Sequence, residues 1–206
     1  LTFDAAGGGT GMSPVMHMNE LSTPTIWLYS QVMQCARVLK ESGRFVPDIS
    51  FAGGFINESQ MYKAFALSDM GDGPVCKSIG MARAPLTAAM KGKHYAKLSA
   101  ESKLPANFVK QYGSDPFTYM IEAKSLAEKY PDLELGKDIP WGGVALYTYL
   151  HDRIGEGLKQ LMAGTRRFTL ESIEYEDIVA LTEIASRVTG VETLEGRAAR
   201  VMKEFL

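Results

Sequence analysis

Three short apolar runs, each meeting glycine at or just beyond its end, constrain this chain more than any other feature. Leu1–Asp4, Ile49–Ala52 and Val75–Gly80 are four to six residues long and have the composition of strands. None alternates strictly between apolar and polar residues, as expected of strands in a parallel sheet. Between the first two lies Thr25–Glu41, where Leu28, Val32, Cys35 and Leu39 keep helical spacing and Gly43 supplies a stop. This stripe predicts a buried face and makes Cys35 a small core residue. Between the second and third runs, Asn57 with Gln60 three residues on reads as a capping arrangement. It predicts a helix that buries Met61, Ala64 and Phe65. Strand, helix, strand, helix, strand is the pattern of parallel strands joined by right-handed crossovers, so the fold class is α/β.

Beyond about Pro105 the strand signals stop. Asp115-Pro116 predicts a helix start, with a cap followed by proline at the first helical position. Tyr147, Leu150, Ile154, Leu158 and Leu161 predict one amphipathic helix. Ser172, with Glu174, Glu176 and Asp177 in the next turn, predicts another that buries Ile178, Leu181, Ala185 and Val188. A last helix is expected from about Glu195 to the end. The expected organisation is therefore 1–104 as an α/β part and 105–206 as a helical extension packed on it. The chain opens on Leu1 inside a strand–loop unit, so upstream sequence is expected to belong with it.

Composition narrows the function classes. A formal net charge of −2 gives no reason to expect a nucleic-acid or anionic-membrane partner. Short basic clusters such as Arg166–Arg167 read as solvated surface. There is no apolar run long enough to cross a bilayer. Two cysteines, Cys35 and Cys76, are too few for a disulfide framework and favour a reducing, cytoplasmic setting. His94 and His151 lack metal-ligand spacing and read as structural or surface residues; no metal site is expected.

The chemistry is concentrated in the glycine loops. Gly7–Gly11 follows Asp4, Gly53-Gly54 follows Ala52, and Gly80-Met81-Ala82-Arg83 closes the third run. Glycine there permits positive φ and close approach of backbone amides to a ligand. A helix starting just afterwards aims its unpaired N–H groups at the same place. All strand C-termini of a parallel barrel share one face, so the loops are expected to converge. Gly53, Gly54, Gly80 and the amides of Met81 and Ala82 suit a phosphate, with Arg83 as a charge-assisted donor. A diglycine after a strand is, by itself, more often a tight turn than a ligand site; three in register at the ends of three successive strands favour a ligand.

These residues carry a resemblance. Leu1-Thr2-Phe3-Asp4-Ala5-Ala6-Gly7-Gly8-Gly9-Thr10-Gly11-Met12-Ser13-Pro14 resembles the loop after barrel strand six in the FMN-binding domain of glutamate synthases. Asp48–Phe55 looks like that family's strand seven with its phosphate-loop diglycine, and Lys77–Leu86 like its strand eight. Within the tail, Gly157–Gly164 and Asp177–Thr182 also resemble short, single-chain proteins of this kind. The resemblance implies the C-terminal portion of a (β/α)8 TIM barrel, strands six to eight, followed by an α-helical extension. It implies a cytoplasmic flavoprotein oxidoreductase of glutamate biosynthesis and nitrogen metabolism. In that family a hydride from reduced FMN completes the reductive amination of 2-oxoglutarate to glutamate.

By motif match, Gly53, Gly54, Gly80, Met81 and Ala82 would cradle the FMN phosphate, with Arg83 beside them. Gly8, Gly9, Thr10 and Gly11 would line the flavin and substrate pocket, with Asp4 ordering the loop and Ser13 nearby. Where the family carries glutamine and lysine after the proline, this chain has Val15 and Asn19. His17 reads either as a compensating donor or as an exposed loop residue. Residues 84–104 hold no cysteine, so this segment is not expected to bind the family's iron–sulfur cluster. Electrons would come from another domain or a partner protein. No residue stands out as catalytic, and the segment alone is expected to be inactive. Two alternatives remain: another FMN-dependent barrel oxidoreductase, or a noncatalytic half-barrel that completes a partner or homo-oligomer through its sheet edges.

Overall fold

The computed structural model describes residues 1–6, 14–16 and 20–206. The chain divides into two compact units: Leu1–Met81 with Leu158–Leu206, and Ala82–Gly157. The dividing points follow contacts within each unit rather than the end of the strand signals near residue 104.

The first unit holds a parallel three-stranded sheet in the order β1 (Thr2–Asp4), β2 (Ile49–Ala52), β3 (Cys76–Gly80). The expected strand–helix–strand–helix–strand order is therefore observed, making the fold α/β. Helix α1 (Thr25–Glu41) forms the first crossover and α2 (Glu58–Leu67) the second. At the start of α2, Asn57 Oδ1 accepts from the Gln60 amide at 2.9 Å. Gln60 Oε1 in turn accepts from the Ile56 amide at 2.8 Å, one residue before the cap. Met61, Ala64 and Phe65 are buried, as their spacing predicts.

Helix α1 has the expected bounds but a different buried face. Tyr29, Ser30, Met33 and Ala36 are buried, whereas Cys35 is exposed. Two adjacent stripes share helical periodicity, and spacing alone does not choose between them. The aromatic stripe wins because Tyr29 stacks on Phe51 of the sheet, with ring centroids 3.9 Å apart. Its hydroxyl also donates to the Ala52 carbonyl.

The rest of this unit comes from the tail. The tail departs most from expectation. No helix begins at Ser172. Two 3₁₀ turns, Leu170–Ser172 and Tyr175–Asp177, occupy that stretch. The acidic residues that read as a helix start are taken by Arg167, which donates to Asp177 at 3.0 Å and Glu174 at 2.9 Å. The Tyr62 hydroxyl of α2 donates to the same Asp177 at 3.1 Å and shares a 2.7 Å hydrogen bond with Thr165. Asp69 accepts from the Tyr175 amide at 3.0 Å. The tail is thereby tied to α2 and the turn after it. Ile173, Ala180, Val188 and Val191 are buried here, but Leu181 is 79% exposed, which removes it from the predicted core.

In the second unit, α3 (Arg83–Ala100) packs against α7 (Trp141–Thr148). The helices approach so closely that a Cβ on Gly92 would lie 2.2 Å from the Ala145 Cβ. Short helices α4 (Ala106–Tyr112), α5 (Pro116–Tyr119) and α6 (Ala123–Lys129) intervene. Asp115 caps α5, accepting from the Phe117 amide at 3.0 Å, but this helix is a single turn. Ala96, Met120, Ala123, Leu126, Leu135 and Val144 form the core. After α7 comes a π-helical segment, Tyr149–Glu156. Its wider turn rotates the predicted apolar stripe, leaving Leu150 at 43% exposure while Ile154 stays buried.

Along the chain follow α8 (Gly157–Gly164), α9 (Glu183–Thr189) and α10 (Leu194–Glu204). In α8 Met162 is buried, while Leu161, assigned to the predicted stripe, is 37% exposed. Thr182 and Thr193 cap α9 and α10. The final helix is close to its expected start. Among the described residues no helix is long and apolar enough to cross a membrane.

The tail clamp predicts a pH signature. Burial pushes the Asp177 carboxyl up, but hydrogen bonds from Arg167, the Glu174 amide and Tyr62 outweigh it and hold it below the ordinary value. A depressed carboxyl stabilises the fold above its unfolded pKa, and that stability is lost as pH falls through the folded value. Asp177→Asn should cost about 2 kcal/mol at neutral pH in urea unfolding. The difference from wild type should shrink below roughly pH 4. A gap that stays constant into strong acid would contradict this account.

Candidate functional site

Parallel register sets the site. Asp4, Ala52 and Gly80 lie in one row across β1, β2 and β3, and Thr2, Ser50 and Ser78 form the row behind. The C-terminal ends of all three strands therefore share one edge. Lys77 is an extra residue in β3, since Ile49 pairs with Cys76 while Ser50 pairs with Ser78. This bulge brings Ser78 and Gly80 onto the face of Ser50 and Ala52.

The two faces differ. Phe51 is fully buried under α1, and Ile49 and Cys76 are buried beside it. Burial pushes the Cys76 thiol up to about 11, so it is neither thiolate ligand nor nucleophile at neutral pH. On the opposite face Thr2, Asp4 and Ser78 are exposed, and Ser50, Ala52 and Gly80 are half-buried. That face is polar or small at every paired position.

The diglycine splits into two roles. Gly53 is buried with φ +117°, and a Cβ there would lie 2.7 Å from the Ala5 amide nitrogen and 2.9 Å from the Ala5 Cβ. The Ala5 amide donates to the Ala52 carbonyl at 3.0 Å. Thr25 Oγ1 donates to the Gly53 carbonyl at 2.8 Å and contacts the Ala6 carbonyl at 3.2 Å. Gly53 is thus required by packing between the ends of β1 and β2. Gly54, by contrast, is exposed with φ +83°, and a Cβ there would meet only the Ala6 carbonyl, at 3.9 Å. Here the backbone is open to a ligand.

Gly80 would carry its Cβ 3.0 Å from that of Ala52, so a side chain there would crowd the neighbouring strand. Met81 is half-buried beside it. The first unit thus brings together Asp4, Gly53, Gly54, Gly80 and Met81. Ala82 and Arg83 belong to the second unit, where both are exposed and Ala82 starts α3 without a side-chain cap. Gly8, Gly9, Thr10, Gly11, Ser13, His17 and Asn19 lie outside the described residues.

This arrangement suits binding more than proton transfer. At the rim, Gly54 and Gly80 offer backbone without side chains, beside the half-buried Met81, an arrangement with room for an anionic group. Burial, followed by the nearby negative charge of Asp4, pushes the Tyr29 hydroxyl upward, so it stays neutral as a donor. Among the described residues no group of three His, Cys, Asp or Glu side chains could hold a metal ion. His151 Nδ1 lies 3.2 Å from Glu122 and stacks on Tyr147, and His94 packs beside Tyr95, both within the second unit. The sequence reading missed Thr25, whose hydroxyl ties both strand ends; its place at the first position of a helix after Pro24 was the available signal. Comparison with known protein families, with curated proteins and with solved structures finds no match for this chain.

Two alanine substitutions separate packing from openness. Gly53→Ala should destabilise by about 3 kcal/mol in urea unfolding, since it adds a collision to a strained φ. Gly54→Ala should cost only about 1 kcal/mol, the left-handed backbone alone. Equal losses would show that Ala5 does not crowd Gly53.

Proposed function

We propose that β1, β2 and β3 are strands six to eight of a (β/α)8 barrel and that their rim holds the phosphate end of FMN. The chain then acts in a glutamate-synthase-like oxidoreductase, within an enzyme that aminates 2-oxoglutarate reductively. The observation that carries this reading is the in-register rim above an uncovered face of small and polar residues. All-parallel sheets are ordinarily covered on both sides, yet among the described residues of the first unit helices cover only the Phe51 face. An inward face of Thr2, Ser50 and Ser78 beneath Asp4, Ala52 and Gly80 matches the lumen of a closed barrel. The motif resemblance at Leu1–Pro14, Asp48–Phe55 and Lys77–Leu86 supports the flavin specifically.

In this reading Gly54, Gly80 and Met81 present main-chain amides to the phosphate, and Gly53 holds the loop in place by packing under Ala5. Asp4 stands at the same edge, on the substrate side. FMN, when bound, supplies the hydride, and the residues of this chain position it. No residue of the described rim is asked to move a proton. Electrons arrive from a separate domain or protein.

One observation favours a second reading. Gly53 is fully accounted for by packing, and among the described residues β1 and β3 each pair only with β2. A half-barrel that completes a partner through those edges would need the same sheet and no flavin.

Flavin fluorescence separates the two. FMN should be quenched on titration with the chain, and riboflavin, which lacks the phosphate, should bind at least about tenfold more weakly. Absence of quenching at millimolar FMN, together with a chain that runs as an oligomer in size-exclusion chromatography, would favour the half-barrel.

A further inference from the structure

A second feature of the first unit lies on the helical side of the sheet. Helices α1 and α2 and the tail around residues 178–191 enclose a cleft of about 300 Å³. Phe55, Leu67, Ile178, Ala180 and Val191 make its walls apolar. Gly53 and Gly54 also line it, but Gly80 does not. It is therefore a different space from the uncovered sheet face.

Several polar groups in the walls are already engaged. Thr25 donates to Gly53, Thr189 donates to the Ala185 carbonyl at 2.7 Å, and Gln60 accepts from Ile56. The walls are otherwise apolar, so the body of an occupant that fits them is predominantly apolar. Charge enters at the rim through Lys63, the one charged residue among the described lining residues. Lys63 is exposed and forms no ion pair among the described residues. The seventeen-residue α1 also begins at this cleft, with Thr25 and Ile26 in the lining and no side-chain cap. Its partial positive charge adds to that of the lysine. The volume is at the lower end of the range for small-molecule sites.

We propose that this cleft binds a small amphiphilic carboxylate, with its alkyl or aryl body against Leu67 and Val191 and its carboxylate at Lys63. The site would couple occupancy to the tail, because Ile178–Val191 forms one wall and is held to α2 by the Asp177 clamp. The proposal does not depend on the flavin reading.

Octanoate is a suitable probe, with octanol and octylamine as controls of equal length. In amide NMR spectra octanoate should shift resonances of Ala64, Leu67, Ala180 and Val191, with octylamine at least about tenfold weaker. Lys63→Glu should weaken octanoate by about tenfold or more and leave octanol binding unchanged. Ala185→Phe, which fills the cleft from α9, should abolish both, with unchanged thermal unfolding as the check on folding. The proposal is overturned if octanoate leaves those resonances in place, or if octylamine and Lys63→Glu bind as octanoate and wild type do. FMN quenching is read separately, so either site can fail without the other.

Discussion

The carbonyl of Ala52 is the point on which the first unit depends. It accepts from the Ala5 amide, which joins the end of β1 to the end of β2. It also accepts from the Tyr29 hydroxyl, which fixes α1 over the sheet. One half-buried acceptor thus sets strand register and helix orientation together, and leaving it unpaired would forfeit both hydrogen bonds at once. The residue after it has to turn sharply beneath Ala5, and only Gly53 fits that space. Gly54 follows with its backbone outward. The open rim is therefore a consequence of the closed contact beside it.

Much of this was legible in the sequence, and the reasons for the remainder are specific. The three strands and both crossover helices were readable because apolar run length and glycine position carry local information. The bounds of α1 and the Asn57 cap came from the same kind of signal. Which stripe of α1 faces the sheet was not readable, because that depends on Phe51 lying opposite Tyr29. The tail failed for a related reason: Glu174 and Asp177 are good helix-start residues until Arg167 draws them away. The π-helical turn after α7 likewise shifts Leu150 outward with no local marker in the sequence.

At the site, the residue types were legible and their division of labour was not. Gly53 and Gly54 look alike in a sequence, yet one serves packing and the other exposes its backbone. The absence of titratable pairs at the described rim agrees with a role in which main-chain groups hold a ligand and the ligand supplies the chemistry. Such a site is specified by backbone conformation, which is why glycine rather than histidine or cysteine marks it.

The central claim is that amides at the strand ends receive an anionic group. Titration of the isotopically labelled chain with inorganic phosphate, followed by amide NMR, tests it most directly. The account predicts shifts concentrated at Gly54, Gly80 and Met81, with Gly43, which lies at the end of α1, unmoved. Shifts spread evenly over surface lysines, or none at those three amides, would contradict it.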